Sequence, residues 1–340
     1  MPEMEDATRV EEARPFSHEE MVTCAECLRA NPPTRSNCFY CSAKLPLQET
    51  AAASRRRLAL RQPEKWEEGY NVILGERAPE ASDELLGEVS ELLKLEREAA
   101  RRILESAKPL PLARVDSSEE AGLVAERLGT CGLSVLVVSD SDLMMKDEHR
   151  RRARAFDFEN AGLVAHAAGS KEAWRAAWAD ITLMVTGRLV TRRVEMEERR
   201  KTRGSEAVVA REMTGDVLLL DLYTKDYDGG WRVASDSFDF SCLKERKALI
   251  ASQNFATLVE VIRERAPRVM VDDSYNGLRQ ALASIWPPEE RTQSGLRRER
   301  PGRFNVEAVM TSDNERQFTR YSRLRHYLLL GEAGEGRTSA

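Results

Sequence analysis

The chain has 340 residues, about two domains at roughly 150 residues each, and is long enough to bury a core without disulfide staples. Charged residues make up 32% and aromatics 6%, with 52 Lys+Arg against 57 Asp+Glu for a net charge of −5. Residues 1–20 hold seven acids and two arginines and account for that whole −5, so the remainder is neutral and no bulk charge drives it onto nucleic acid or membranes.

No apolar run reaches the roughly 18 residues of a membrane span. The N-terminus is acidic where an export signal would be basic and then apolar, so a soluble, cytoplasmic protein is expected. Four of the six cysteines fall between Cys24 and Cys41, while Cys131 and Cys242 stand alone. Without an export signal, such clustering points to metal rather than disulfides.

Taken in order, residues 1–20 lack any apolar period and are expected to form a solvated acidic tail. Residues 21–47 form a cysteine module, and 48–68 a linker with the basic run Arg55–Arg57. A unit over 69–142 follows. Its Tyr70–Leu74 reads as a strand. Leu85, Leu86, Val89, Leu92 and Leu93 recur at helical spacing, so Asp83–Leu93 is expected to be an amphipathic helix capped by Ser82. Arg97–Ser106 is a second helix and Leu110–Val115 a strand. A third helix starts at Ser117 or Ser118 with Ala121, Val124, Ala125 and Leu128 inward. Leu133–Val138 is an apolar strand expected at the sheet centre.

Residues 153–290 change to short strands: Ala153–Phe158, Gly162–His166, Ile181–Gly187, Leu189–Glu195, Val208–Met213, Val217–Thr224, Trp231–Ser235 and Phe238–Ser241, with Glu197–Ser205 a polar hairpin loop. Strands so spaced imply a curved antiparallel sheet or small barrel. It is closed by a long helix, Lys247–Arg265, with Phe255, Leu258, Val259 and Ile262 buried. Asp273–Trp286 reads as a further helix. Residues 291–340 are an Arg-rich, mostly irregular extension and tail. The expected fold class is thus multidomain α+β: a zinc ribbon, a small βααβαβ domain and an antiparallel β-rich domain closed by a long helix.

Cys24-Ala25-Glu26-Cys27 and Cys38-Phe39-Tyr40-Cys41 are two C-x2-C pairs ten residues apart. Each suits a tight knuckle, and together they close a tetrahedron. Four thiolates select zinc at about 2.3 Å with no open coordination position, which makes the ion structural. Arg29, Arg35 and Lys44 are near enough in sequence to offset the site's −2 charge. Only Val22, Leu28, Phe39, Tyr40 and Leu45 are available to bury, so zinc must supply most of the folding free energy.

Cys24–Cys27, Asn31-Pro32-Pro33, Cys38–Cys41 and Leu45 resemble the small zinc ribbons at the N-termini of many bacterial multidomain proteins, the favoured reading. The spacing C-x2-C-x3-Asn-x6-C-x2-C, with Asn31, also resembles the Ran-binding-protein-type finger, which has Trp where Val22 stands. That second resemblance implies RNA or ubiquitin recognition. Tyr70–Leu74, Arg97–Ser106, Glu119-Glu120-Ala121 and Gly132–Val138 resemble the C-terminal domain of the bacterial ribosomal stalk protein, whose element order the Clp-protease adaptor domain shares. The stalk domain contacts GTPases through a Lys- and Gly-rich junction. Here Glu91–Glu96 is acidic and apolar, so what the resemblance implies is a scaffold offering a helix face to a protein. The later strands and closing helix, with Trp178-Ala179-Asp180-Ile181, resemble the bacterial pleckstrin-homology-like fold. That family often binds lipids or peptides, but no dense basic cluster marks an early hairpin, so lipid is not expected.

Asp239, Cys242, Asp272 and Asp273 are the catalytic candidates. None shares a motif with His18, His149, His166 or His326, so no enzyme is expected. Cys131 and Cys242 are expected to be buried and inert, and Asp273 to cap a helix. Residues 291–325 hold nine arginines and four acids, with Phe304, Phe318 and Tyr321 interleaved. That composition suits nucleic acid, packing across the third unit or pairing with the acidic N-terminal tail. The function expected is a zinc-binding adaptor for an unidentified protein partner, the zinc held by Cys24, Cys27, Cys38 and Cys41. The alternative is RNA or DNA binding through the ribbon and the Arg-rich segment.

Overall fold

The computed structural model describes residues 21–31, 38–41, 43, 45, 63, 67–75, 79–106, 108–145, 151–167, 173–200, 206–226, 230–300 and 303–338. The expectations for the acidic tail, Arg35, Lys44, Arg55–Arg57, His149 and residues 201–205 fall outside these. The chain divides into two compact units, residues 1–59 and 60–340. Among the described residues no helix is long and apolar enough to cross a membrane.

In the first unit β1 (Val22–Thr23) pairs antiparallel with β2 (Ala30–Asn31), Val22 opposite Asn31. Its core is Val22, Cys24, Cys38 and Leu45. Leu28, Phe39 and Tyr40, expected to join that core, are instead 78%, 66% and 54% exposed. The reason is local. Leu28 sits at φ 57° just after Cys27, and Phe39 and Tyr40 lie between two cysteines whose sulfurs turn inward, so all three side chains are left outside.

The second unit opens with β3 (Tyr70–Leu74), α1 (Asp83–Leu93), α2 (Arg97–Glu105), β4 (Pro111–Val115), α3 (Ser118–Thr130) and β5 (Val135–Ser139). Ser82 and Ser117 cap α1 and α3 by accepting from the Leu85 and Glu120 N–H groups, which satisfies otherwise orphaned donors. α1 stops at Lys94 in the left-handed region, φ 54°. The sheet runs β4-β3-β5, antiparallel throughout. The centre is therefore β3, and the strand expected there lies at the edge, with Leu136 42% exposed. β3 fills the centre with buried Asn71, Val72, Ile73 and Leu74.

Next come β6 (Arg151–Phe158), β7 (Gly162–Ala167), β8 (Ala173–Ala177), β9 (Ile181–Arg200), β10 (Glu206–Thr224), β11 (Trp231–Ala234), α4 (Ala251–Arg265), β12 (Met270–Asp272), α5 (Tyr275–Leu282), β13 (Glu289–Arg300), β14 (Arg303–Asp313) and α6 (Glu315–Thr338). The large sheet runs β13-β14-β9-β10-β11-β6-β7-β8, with β12 parallel on β9. Among the described residues that path has two ends, so the sheet is open rather than a barrel. Its core joins Phe156, Trp178, Met184, Leu220, Trp231 and Phe238 to Phe255, Leu258, Val261 and Ile262 of α4.

Four expectations are corrected. Ile181–Gly187 and Leu189–Glu195 are one long strand, β9, and Val208–Met213 and Val217–Thr224 are another, β10. Gly187 is no break: a Cβ there would lie 2.5 Å from the Phe318 ring, so glycine admits the aromatic. Glu197–Ser205 is not all loop, since β9 runs to Arg200. Phe238–Ser241 leads into a 3-10 turn, Phe240–Arg246, rather than a strand. Glu289–Arg300 and Arg303–Asp313 pair as β13 and β14 and Glu315–Thr338 is α6, where irregular chain was expected from 291 on. From Gln317 to Leu324 α6 is buried on every side, and its polar groups find partners inside. Gln317 donates to Trp286 O at 2.7 Å, Ser322 meets the Tyr223 hydroxyl at 2.9 Å, and Arg323 donates to the Leu143 and Met144 carbonyls.

Candidate metal centre

The four sulfurs of Cys24, Cys27, Cys38 and Cys41 lie within 4.8 Å of one another. Cys24 Sγ is 3.6 Å from Cys41 Sγ, and Cys27 Sγ is 3.5 Å from Cys38 Sγ. A tetrahedron of sulfurs about 2.3 Å from one ion has edges of about 3.8 Å, so the spacing fits a single metal ion. The backbone pins each knuckle: Leu28 N–H donates to Cys24 O at 2.9 Å and Cys38 N–H to Ala43 O at 2.8 Å.

Asn31 is fully buried and braces the two halves. Its Oδ1 accepts from Phe39 N–H at 2.8 Å, while its Nδ2 donates to Arg29 O at 2.8 Å and approaches Cys38 Sγ at 3.4 Å. Tyr40 N–H also donates to Cys38 Sγ, at 3.4 Å. Burial pushes the Cys38 thiol up, but the Cys41 and Tyr40 amides, the Cys27 thiol and Asn31 bring it down to about 6. The Ala43 amide favours the Cys41 thiolate, but burial and the Cys24, Cys27 and Cys38 thiols outweigh it and raise Cys41 to about 12, so within the quartet Cys38 is the sulfur that the amides favour as thiolate. Outside the sulfurs, the Arg29 guanidinium stacks over the Tyr40 ring at 4.7 Å, and Phe39 meets Tyr40 edge-on at 5.5 Å.

The catalytic candidates are dispersed. Asp239 and Cys242 share a cleft of about 410 Å³ with Asp157, Phe158 and Arg265. Asp239 caps the 3-10 turn, accepting from Ser241 N–H and Oγ–H at 2.9 and 2.6 Å. Cys242 and Cys131 are each half-buried, where full burial was expected. Burial and the Asp239 and Asp157 charges raise the Cys242 thiol to about 11; burial and Glu88 likewise raise Cys131. His166 pairs with Asp157 at 2.8 Å, and His326 is stacked on Tyr223 with Nε2 at 2.9 Å from Thr224 O.

Asp272 lies elsewhere, under α6. Both its oxygens accept from the Tyr321 hydroxyl at 3.0 Å, and one accepts from Ser274 N–H at 2.9 Å. So Asp272, not Asp273, serves the start of α5. Two arginines of α6 turn inward: Arg320 reaches Asp140 at 3.3 Å and Arg325 reaches Asp272 at 2.9 Å. Arg232 is pinned by Asp221 at 2.7 Å and by Glu315 at 3.1 Å. The packing alternative therefore holds for the α6 part of the Arg-rich segment.

Compared with family models, curated proteins and solved structures, the chain matches none.

Proposed function

We propose that this chain is a cytoplasmic adaptor whose four-cysteine module holds one structural zinc ion and uses it to present an apolar knuckle to a partner protein. The observation that carries the reading is the pairing of a closed sulfur tetrahedron with Leu28, Phe39 and Tyr40 on the outside. The coordination shell leaves no ligand position for chemistry. A module with four core residues gains its rigidity from the metal, and three exposed large apolar side chains at the knuckles are the surface that rigidity serves. In this reading the β3–β5 sheet is a stalk-like scaffold and the large sheet a pleckstrin-homology-like frame.

Two measurements on the full chain test it. Elemental analysis should give one zinc per chain and none for Cys38→Ser. In affinity capture, a co-eluting protein retained by the native chain should be lost from Leu28→Ala/Phe39→Ala/Tyr40→Ala while zinc content stays unchanged. Equal recovery by both chains, or metal-free native protein, overturns the proposal.

A further inference from the structure

The cleft of about 410 Å³ is formed by β6, the 3-10 turn Phe240–Arg246 and the C-terminal half of α4. Its lining carries three carboxylates, Asp157, Asp239 and Glu264, and three cations, Lys244, Arg246 and Arg265. Every carboxylate is already engaged. Asp157 meets His166 Nε2 at 2.8 Å and Glu264 pairs with Arg246 at 2.8 Å. Asp239 accepts from Ser241 N–H and Oγ–H at 2.9 and 2.6 Å, with Lys247 Nζ at 3.7 Å. Two cations are left over. Lys244 and Arg265 are both exposed, and among the described residues neither forms an ion pair or a side-chain hydrogen bond.

Each of the two is placed by something other than a carboxylate. The Arg265 guanidinium lies over the Phe158 ring at 5.1 Å and the Trp178 ring at 5.5 Å. Aromatic faces hold a guanidinium in this way while its N–H groups stay available to an acceptor. Lys244 sits at φ 51°, ψ −119° inside the 3-10 turn. That is the conformation of the first central residue of a type II′ turn, where glycine is the default. A lysine there strains the backbone, and strain of this kind clusters at ligand-binding sites.

We propose that this cleft binds a small organic monocarboxylate with an apolar body, its carboxylate taken by Lys244 and Arg265. The volume falls within the roughly 300–1,000 Å³ of small-molecule sites, and Phe158 and Cys242, both half-buried, give the lining an apolar part. The charges set the class of ligand. Three acids against three bases leave the lining neutral, so one negative charge is held at the two free cations, whereas a polyanion also meets Asp157, Asp239 and Glu264. A cationic ligand finds no carboxylate without a partner. Arg265 supplies the planar fork that grips a carboxylate through two parallel hydrogen bonds, and Lys244 supplies a second positive charge.

The test is calorimetric titration of the full chain with 2-naphthoate as the probe, beside 2-naphthylmethanol and inorganic pyrophosphate. Naphthoate is expected to bind, and the alcohol to bind at least about tenfold more weakly for want of a charge-assisted hydrogen bond. Arg265→Gln and Lys244→Gln should each weaken naphthoate about tenfold, while Arg265→Lys keeps most of the affinity. Lys244→Gly should weaken binding as far as Lys244→Gln does and yet raise the melting temperature, because glycine relieves the turn. Absence of naphthoate binding at millimolar concentration, equal binding of the alcohol, tighter binding of pyrophosphate, or an affinity indifferent to the Lys244 and Arg265 substitutions overturns the proposal. So does a Lys244→Gly chain that melts below the native one, since Lys244 then serves the fold.

Discussion

Arg320, on the second turn of α6, meets Asp140, just past the end of β5, at 3.3 Å, although 180 residues separate them. Asp140 also accepts from Arg114 at 2.6 and 3.1 Å, from Asn71 Nδ2 at 3.1 Å and from Gly69 N–H at 3.3 Å. Asn71 Oδ1 in turn accepts from Trp286 Nε1 at 2.8 Å. One carboxylate thus joins the central strand of the small sheet, the chain after α5 and the C-terminal helix. Burial alone would raise Asp140, but the Arg320 and Arg114 charges and the Asn71 amide hold it below its ordinary range. Burial and the nearby Arg114 bring Arg320 down to about 10, against the pull of Asp140.

Asp140→Asn is expected to destabilise the second unit by about 3–5 kcal/mol, because it leaves two buried guanidiniums without their shared anion. Urea unfolding should show the midpoint shift, with the zinc content of the first unit unchanged. A loss under about 1 kcal/mol would mean that the neutral amide serves as well, and that hydrogen bonding rather than charge holds this junction.

Acid should act through the same groups. Asp272, like Asp140, is held below its ordinary value of 3.8: burial opposes this, but the Ser274 N–H, Lys108, Arg325 and Tyr321 outweigh it. The unfolded chain then binds protons at a higher pH than the folded one, so stability rises with pH across that interval. The contribution is fully present above about pH 5 and drains away as pH falls through 4 and below. Urea midpoints measured from pH 7 to pH 3 should drop at the acid end, and Asp140→Asn should flatten that drop. A profile that is already flat in the native chain would contradict the assignment.

Local rules carried the helices of the small sheet and failed on the long strands and on α6. Ser82 and Ser117, each followed by a helical apolar period, marked α1 and α3 because caps and periodicity are short-range. The cysteine quartet was equally legible, since two knuckles need only their own spacing. The lengths of β9 and β10 were hidden because each depends on the other, whose pairing carries β9 through Arg188 to Arg200, and on β14. α6 misled for the same reason. Its Gln317, Thr319, Arg320, Ser322 and Arg323 look solvent-facing until their partners after α5, on β10 and β11 and in the turn after β5 are in place. The Asn31 brace followed the motif spacing, but its bond to Phe39 N–H depends on how the two knuckles face each other.

Gly187→Ala tests the aromatic approach directly. The new methyl group would lie 2.5 Å from Phe318 and 3.0 Å from Tyr275, an overpacked core contact worth about 1–3 kcal/mol of destabilisation. Gly215→Ala, where no atom lies within 4 Å of the added carbon, should stay within about 0.5 kcal/mol of the native chain. Thermal melts of the two variants should therefore separate. Equal melts would mean that the Phe318 ring moves aside at no cost.

Asn31→Ala removes the acceptor for Phe39 N–H and the amide beside Cys38 Sγ, yet leaves all four ligands. Outer-shell losses of this kind typically weaken metal binding about 10- to 100-fold. Competition with a colorimetric chelator should show that drop, while Cys38→Ser should retain no zinc at all. The chain divides at residue 59 into two compact units, and the melting transition of the second is expected to be the same in native, Asn31→Ala and Cys38→Ser protein. If Cys38→Ser lowers that transition, the two units fold as one and the metal stabilises more than its own knuckles.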